Sequence, residues 1–326
     1  MSMIAVLNEF GIEAIRDALD KIDSFDNLVV NGLNAFQLNE IEKIDPELFA
    51  KISEKIKVEK WFPFAGMWCE ENGEISDENL ARNALYSSNY FRKKFGKVSR
   101  IFTADRVYSN AFAQIVFAAK YDTCYVRSEA ESYWLDGADG TRTHIAGAIE
   151  TVDVNDLDGD FISGNNFVSF EEEIISKFSM PMDLKNVQLP YKKFSADDEE
   201  KLLLEAEKIA VQHGEKSEEK IRDLWLEKFL GNSVKDEAEK LINGRTFDKD
   251  FVKINSESVE LICVKYAEDN SGDVVIRIKE TAGEEQSLFV MCDSLDAGFR
   301  TEINPYEVLT FRIVDEGFVK EIFIAE

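Results

Sequence analysis

The chain reads as an α/β protein followed by a β domain, and three observations predict this. Through roughly the first half, short β-branched or aromatic runs alternate with helical patterns, the rhythm of βα units on a mostly parallel sheet. Between Ala196 and Ile242 apolar residues recur at helical spacing with no strand run among them. After Gly244 the period changes to strand runs joined by Asn270-Ser271-Gly272-Asp273 and Glu316-Gly317 turns, which indicates antiparallel β structure. The expected divisions are a parallel-sheet α/β domain over 1–190, a helical segment over 191–246 and an antiparallel β domain over 247–326.

Each element has its own signal. Leu28-Val29-Val30 is a buried strand run. Pro46, just after Asp45, suits a first helical turn, and Leu48, Phe49, Ile52 and Ile56 follow at helical spacing. Asp77 is expected to cap the next helix, Leu80, Ala84, Leu85 and Phe91 to form its buried stripe, and Gly96 to stop it. Val98 to Thr103 predicts a strand ending at Asp105, Ser109 to Tyr121 an apolar helix, and Cys124-Tyr125-Val126 another buried strand. The acidic, Gly/Asn-rich stretch from Asp153 to Asn166 reads as a solvated loop. It is not an EF-hand, because counting from Asp153 or Asp156 finds neither the sixth-position Gly nor the twelfth-position Glu. Farther on, His213-Gly214 separates two helices, and strands are expected at Val259–Tyr266, Val274–Ile278, Val308–Val314 and Phe318–Ile324.

Composition narrows the function classes. The chain has 326 residues and a formal net charge of −26, so phosphate backbones and anionic lipid surfaces would repel it, and neither nucleic acid nor membrane is an expected partner. Its first residues show no basic region followed by an apolar stretch, which makes a cytoplasmic location the expectation. Cys69, Cys124, Cys263 and Cys292 lack CxxC spacing and read as small buried thiols, needing neither disulfide nor zinc.

Several linear blocks occur in a fixed order: Ala65-Gly66-Met67-Trp68-Cys69-Glu70, Asp77-Glu78-Asn79-Leu80-Ala81-Arg82-Asn83, Tyr90 to Gly96, Ala104 to Asn110, Phe112-Ala113-Gln114-Ile115 and Trp134 to Thr141. Toward the other end stand Val264 to Asp269, Val275 to Glu280 and Asn304 to Arg312. This succession resembles the α-mannosidases of glycoside hydrolase family 38. The resemblance implies an incomplete β/α barrel-like first domain and an ancestral chemistry of retaining hydrolysis, in which one carboxylate attacks the anomeric carbon and another protonates the leaving oxygen. It further implies a zinc ion, held in the family by a His-x-Asp pair near the first strand, by the nucleophilic aspartate and by a later histidine.

Of that set the chain retains Asp105, which the resemblance makes the catalytic candidate. The only histidines are His144 and His213, and neither stands in a His-x-Asp pair. The family's Q-F-H-D region corresponds to Lys228-Phe229-Leu230-Gly231, without the histidine and aspartate, and no cofactor is therefore expected. Trp134, Asp139 and Tyr108 are the substrate-binding candidates, because pyranose faces suit indole rings and hydroxyl pairs suit carboxylates. A core Trp134 and a turn-forming Asp139 are the equally weighted structural alternative. Two functions follow. One is a binding protein for a mannose-type carbohydrate, or a subunit that pairs with a second copy or another chain; the other is an active retaining α-mannosidase with Asp105 as nucleophile. Glu78 and Arg82 are expected at the surface or in capping roles, and Arg277, Glu280, Glu307 and Arg312 as cross-strand pairs on a half-exposed sheet.

Overall fold

A computed structural model describes residues 3–7, 11–25, 28–69, 74–96, 99–109, 111–121, 123–129, 131–147, 152–153, 186–189, 196–314, 317 and 319–322. Two sheets form the first part. One is parallel throughout, in the order β3 (Trp61–Phe62), β2 (Leu28–Asn31), β1 (Met3–Val6) and β8 (Val152–Asp153). The other runs β4 (Ile101–Ala104), β5 (Thr123–Val126), β7 (Arg142–Ala146), β6 (Tyr133–Asp136) and β9 (Asn186–Val187). Strands β4, β5 and β7 are parallel, whereas β6 returns antiparallel to β7 through a hairpin.

The sheets meet at Gly66. A parallel bridge joins Gly66 to Thr103, and the Thr103 N–H donates to the Ala65 carbonyl at 2.6 Å. Gly66 has φ +134°, and a Cβ there would lie 2.8 Å from the Thr103 carbonyl oxygen, so the junction requires glycine. Val29 and Phe62 from one sheet share an apolar cluster with Ile101, Tyr125 and Ala146 from the other. Helices α1 (Ile12–Ser24), α2 (Ala35–Ile44), α3 (Pro46–Lys57), α4 (Asp77–Phe95) and α5 (Phe112–Ala118) alternate with the strands. The helix expected over Ser109 to Tyr121 is thus shorter. Asp45 caps α3 through the Leu48 N–H at 3.0 Å, with Pro46 in the first turn as its sequence predicts.

Three helices, α6 (Asp198–His213), α7 (Glu218–Phe229) and α8 (Lys235–Ile242), stand where two were expected. Their Leu203, Ala210, Trp225, Phe229 and Ala238 are buried in the same apolar core as the α/β part. His213 ends α6 before Gly214, which takes a left-handed conformation at φ +66°. A sandwich follows, with one sheet ordered β10 (Lys253–Ile254), β13 (Gln286–Cys292), β14 (Ala297–Ile303) and the other β11 (Val259–Tyr266), β12 (Val274–Glu280), β15 (Val308–Ile313), β16 (Val319–Ile322). Strands β13 and β14 were not anticipated in the sequence. Every residue of β12 is buried, Ile276 and Ile278 in the sandwich core and Arg277 and Lys279 against the helices. All four cysteines are buried and free of disulfides. No helix among the described residues is long and apolar enough to cross a membrane. Glu70 and, beyond Asp153, the acidic stretch to Asn166 lie outside the described residues.

Helix α4 joins these parts, and its residues from Asp77 to Ser88 are all buried. Ser76, not Asp77, caps it, its Oγ accepting the Asn79 N–H at 3.0 Å. Asp77 instead pairs with Lys279 of β12. Glu78 accepts from Arg82 at 2.5 Å with one carboxylate oxygen and from Arg277 of β12 with the other. Arg82 then forks onto Glu207 of α6 at 2.5 and 2.6 Å, with its guanidinium carbon 4.5 Å from the centre of the Trp225 ring on α7. Surface or capping roles for Glu78 and Arg82 are therefore corrected, since both side chains are almost wholly enclosed. The expected cross-strand role of Arg277 is corrected as well. Its Nε donates to Thr310 at 3.0 Å, but its charge partner lies on α4. Glu280 and Glu307 accept from turn backbone groups, and Arg312 pairs with Asp269 and Asp273.

Buried charges of this kind are stable only while every partner is present. Replacing Glu78 by Gln leaves two enclosed guanidinium groups short of negative charge. Urea unfolding at pH 7 should show a loss of about 3–5 kcal/mol, whereas a loss below about 1 kcal/mol would mean that α4 is not the junction described.

Two carboxyls give opposite pH dependence. Burial alone would raise Glu78, but Arg277 and Arg82 outweigh it and hold the group at about 2. Its contribution is thus present above the ordinary value of 4.5 and is lost as pH falls toward 2. Burial pushes Glu200 of α6, which contacts the Ser76 hydroxyl, up to about 7 against the lowering effects of Ser76 and Lys228. The fold favours its protonated form, so that contribution is complete below 4.5 and is lost as pH rises through 7. Glu200→Gln should leave stability little changed near pH 4.5 and raise it by about 1–3 kcal/mol at pH 8. An equal effect at both pH values would contradict the assignment.

Candidate functional site

Parallel α/β sheets expose their usual ligand crevice at the carboxyl ends of the strands. Here β2, β3, β4 and β5 send the segments that follow them toward such a crevice. A cleft of about 360 Å³ is lined by Asn34, Phe36, Gln37, Phe64, Cys69, Arg127, Phe229 and Leu230. Asn34 and Gln37 come from the capping box at the start of α2, where each side chain accepts the other's backbone N–H. Phe64 follows β3, and Arg127 is the first residue beyond β5. Phe229 and Leu230 close the cleft from the end of α7, fixed by the Cys69 thiol, which donates to the Phe229 carbonyl at 3.1 Å.

Asp105, the first residue beyond β4, reaches this cleft through Arg127. Its carboxylate lies 3.2 Å from the Arg127 guanidinium, and its side chain is 55% exposed. Parallel register explains the meeting, because Ala104 is level with Val126 and the next residues on the two strands are neighbours. The Arg127 N–H also donates to the Ala104 carbonyl at 3.0 Å. The guanidinium carbon sits 4.8 Å from the Phe64 ring centre, a cation–π arrangement that fixes the plane of the side chain.

The other anticipated residues have partners of their own. Asp105 stands two residues beyond the level of Thr103, Tyr125 and Ala146, and the β6–β7 ladder ends at Arg142, four residues before that level, so the turn beyond it is roughly 20 Å or more from Asp105 along the strands. Asp139 lies in that turn, where its carboxylate accepts from the Thr141 N–H at 3.0 Å and hydroxyl at 2.6 Å. Trp134 is half-buried on β6, opposite His144 in the ladder and with its ring 5.4 Å from the imidazole. Tyr108 is buried, its ring centre 5.1 Å from the Arg106 guanidinium carbon and 6.5 Å from the Phe112 ring. The structure does not bring Asp139 to Asp105. Sequence reasoning missed Arg127, although its place directly after a strand parallel to β4 was a usable signal.

Zinc requires a convergent set of nitrogen, sulfur or carboxylate donors. Among the described residues, no three His, Cys, Asp or Glu side chains are placed to hold a metal ion. The His144 Nδ1 lies 2.7 Å from the Thr123 hydroxyl inside the sheet, and burial pushes its imidazole down to about 4. His213 ends α6. Leu230, at the position where the resemblance implies a ligand histidine, lines the cleft with an alkyl group. The described residues therefore do not fit the ion.

Comparisons with known proteins bear on the fold. Residues 31–127 match the family model for the glycosyl hydrolases family 38 N-terminal domain. Alpha-mannosidase G of Dictyostelium discoideum is 40% identical over 53 residues, which are 16% of this chain and 5% of that protein. A family 38 glycosyl hydrolase structure from Enterococcus faecalis superposes with a TM-score of 0.54 at 11% identity, covering 98% of this chain and 55% of that one. An α-mannosidase structure from Enterococcus faecalis V583 gives 0.54 at 10% identity, covering 97% and 56%. The chain thus spans about half the length of these solved structures. The matched segment contains Gly66, the α4 junction, Asp105 and Arg127, so residues 31–127 are similar to the N-terminal domain of glycosyl hydrolase family 38 and the chain shares the fold of the two Enterococcus faecalis structures.

Proposed function

We propose that the chain is a divergent family 38 protein that binds a mannose-type carbohydrate in the cleft beside Asp105 and does not hydrolyse glycosides by itself. The supporting observation is the character of the cleft. Three phenylalanine rings offer apolar faces, while Asn34, Gln37 and Arg127 offer polar groups at its rim. This combination suits a pyranose, which has an apolar face and a ring of hydroxyls. Retaining hydrolysis needs two carboxylates about 5–5.5 Å apart, and the described cleft lining contains none. Asp105 adjoins it already engaged with a guanidinium. The curved wall from β8 through the Gly66 bridge to β9 is, in this reading, an incomplete barrel of the family type.

The experiment pairs turnover with binding. An aryl α-mannoside should be cleaved no faster by the wild-type chain than by Asp105→Asn. Methyl α-mannoside should shift the NMR signals of Asn34 and Gln37 side-chain amides. Turnover abolished by Asp105→Asn would establish the enzyme instead, and unchanged amide signals at saturating sugar would remove the carbohydrate assignment.

A further inference from the structure

The capping box that starts α2 engages two side-chain oxygens and leaves the two side-chain nitrogens over. Asn34 Oδ1 accepts the Gln37 N–H at 3.0 Å, and Gln37 Oε1 accepts the Asn34 N–H at 2.8 Å. Both residues line the cleft, and neither amide nitrogen has a hydrogen-bond partner among the described residues. Asn34 is 7% exposed, so an unpartnered amide is presented to the cleft by a side chain that is otherwise enclosed. We propose that these two amides and the positive end of α2 form a subsite for an oxyanion, a phosphate or carboxylate group, carried by the ligand of this cleft. The carbohydrate part of this inference rests on the function proposed above; the anion part does not.

The available donors separate an oxyanion from a neutral polyol. A hydroxyl brings a proton that needs an acceptor as well as lone pairs that need donors, whereas an ionised phosphate or carboxylate accepts. In the described lining the Asn34 and Gln37 oxygens already take backbone N–H groups, and the Cys69 thiol donates to the Phe229 carbonyl. Phe36, Phe64, Phe229 and Leu230 contribute hydrocarbon. The side chains around the two amides therefore offer N–H donors and no unengaged oxygen. The first turn of α2 contains no acidic residue, so its partial positive charge is not neutralised from within the helix. Two backbone donors of that turn are taken, Phe36 N–H by the Trp68 carbonyl at 3.0 Å and Gln37 N–H by Asn34, which leaves direct contact to the amides. No donor of Arg127 is needed, since its guanidinium is engaged with Asp105 and the pair is close to neutral. The net charge of −26 acts weakly on such a local site, because exposed charges farther off than about 8 Å are largely screened at physiological ionic strength.

The test uses the full chain and three sugars: methyl α-mannoside, the phosphate ester of its primary hydroxyl, and the uronic acid in which that carbon is a carboxylate. Calorimetry should show the better anionic sugar binding about tenfold tighter than methyl α-mannoside, with the advantage shrinking as salt is raised. Which of the two binds better names the anion. Asn34→Asp and Gln37→Glu keep the oxygen that the capping box requires and replace the N–H donor by a carboxylate oxygen, so the helix start is retained. In each, the preference should fall to unity or below, with melting to confirm the fold. Asn34→Ser, an uncharged cap, should lower it by about threefold, which separates the lost donor from the added charge. Equal wild-type affinity for neutral and anionic sugars would overturn the subsite and leave the carbohydrate reading standing, as would a full preference in any of the three variants. If no sugar binds, titration with inorganic phosphate decides. Saturable binding weakened in Asn34→Asp keeps the subsite and removes the carbohydrate reading, whereas no saturable binding removes both.

Discussion

Glu78 stands between two guanidinium groups, and the arrangement of the whole chain depends on that contact. Its two oxygens engage Arg82 on its own helix and Arg277 on β12, almost two hundred residues farther along. Arg82 passes the connection to Glu207 and Trp225, so α4 is tied to the helical part and to the sandwich by one continuous set of charges. Such a set has little tolerance for displacement, because a partner removed leaves a charge enclosed without compensation. It fixes the sandwich at one orientation on α4. The Asp77–Lys279 pair adds a second anchor one residue before Glu78.

That junction bears on the cleft through Asn83, one residue beyond Arg82. Its side-chain oxygen accepts from the Trp68 N–H at 2.5 Å and the Cys69 N–H at 3.2 Å, and its amide donates to the Cys69 carbonyl at 3.1 Å. Cys69 in turn holds Phe229, which lines the cleft. The same short stretch of α4 therefore positions the sandwich on one side and a cleft wall on the other. Asp105 and Arg127 approach from the sheet, whose place is set by the close backbone contact at Gly66.

Local patterns were legible in the sequence, and distant pairings were not. The span of α4 was visible from its apolar stripe and Gly96, and Asp45 before Pro46 marked the start of α3. Asp77 looked like a cap because an aspartate at a helix start commonly is one, and only the fold brings Lys279 beside it. Arg277 alternates with apolar neighbours exactly as an exposed sheet residue would; what differs is that a helix covers that face. Strands β13 and β14 escaped notice because Gln286 to Cys292 and Ala297 to Ile303 mix exposed Phe289 and Arg300 with apolar positions. At the site, Asp105 was legible from strand-end logic, and the same logic applied to β5 would have found Arg127. Asp139 shares a linear block of functional appearance with Trp134, but the return direction of β6 sends its turn to the other end of the sheet, a fact of topology rather than of spacing.

The central claim is that the working surface lies where Asp105, Arg127 and the Phe64–Phe229 cleft meet. A crystal structure of the chain soaked with methyl α-mannoside tests it most directly. The account predicts sugar density against Phe64 or Phe229, with hydroxyls within hydrogen-bond reach of Arg127 or Asp105. Ordered sugar at Trp134 or the Asp139 turn, with the cleft left to solvent, would contradict it.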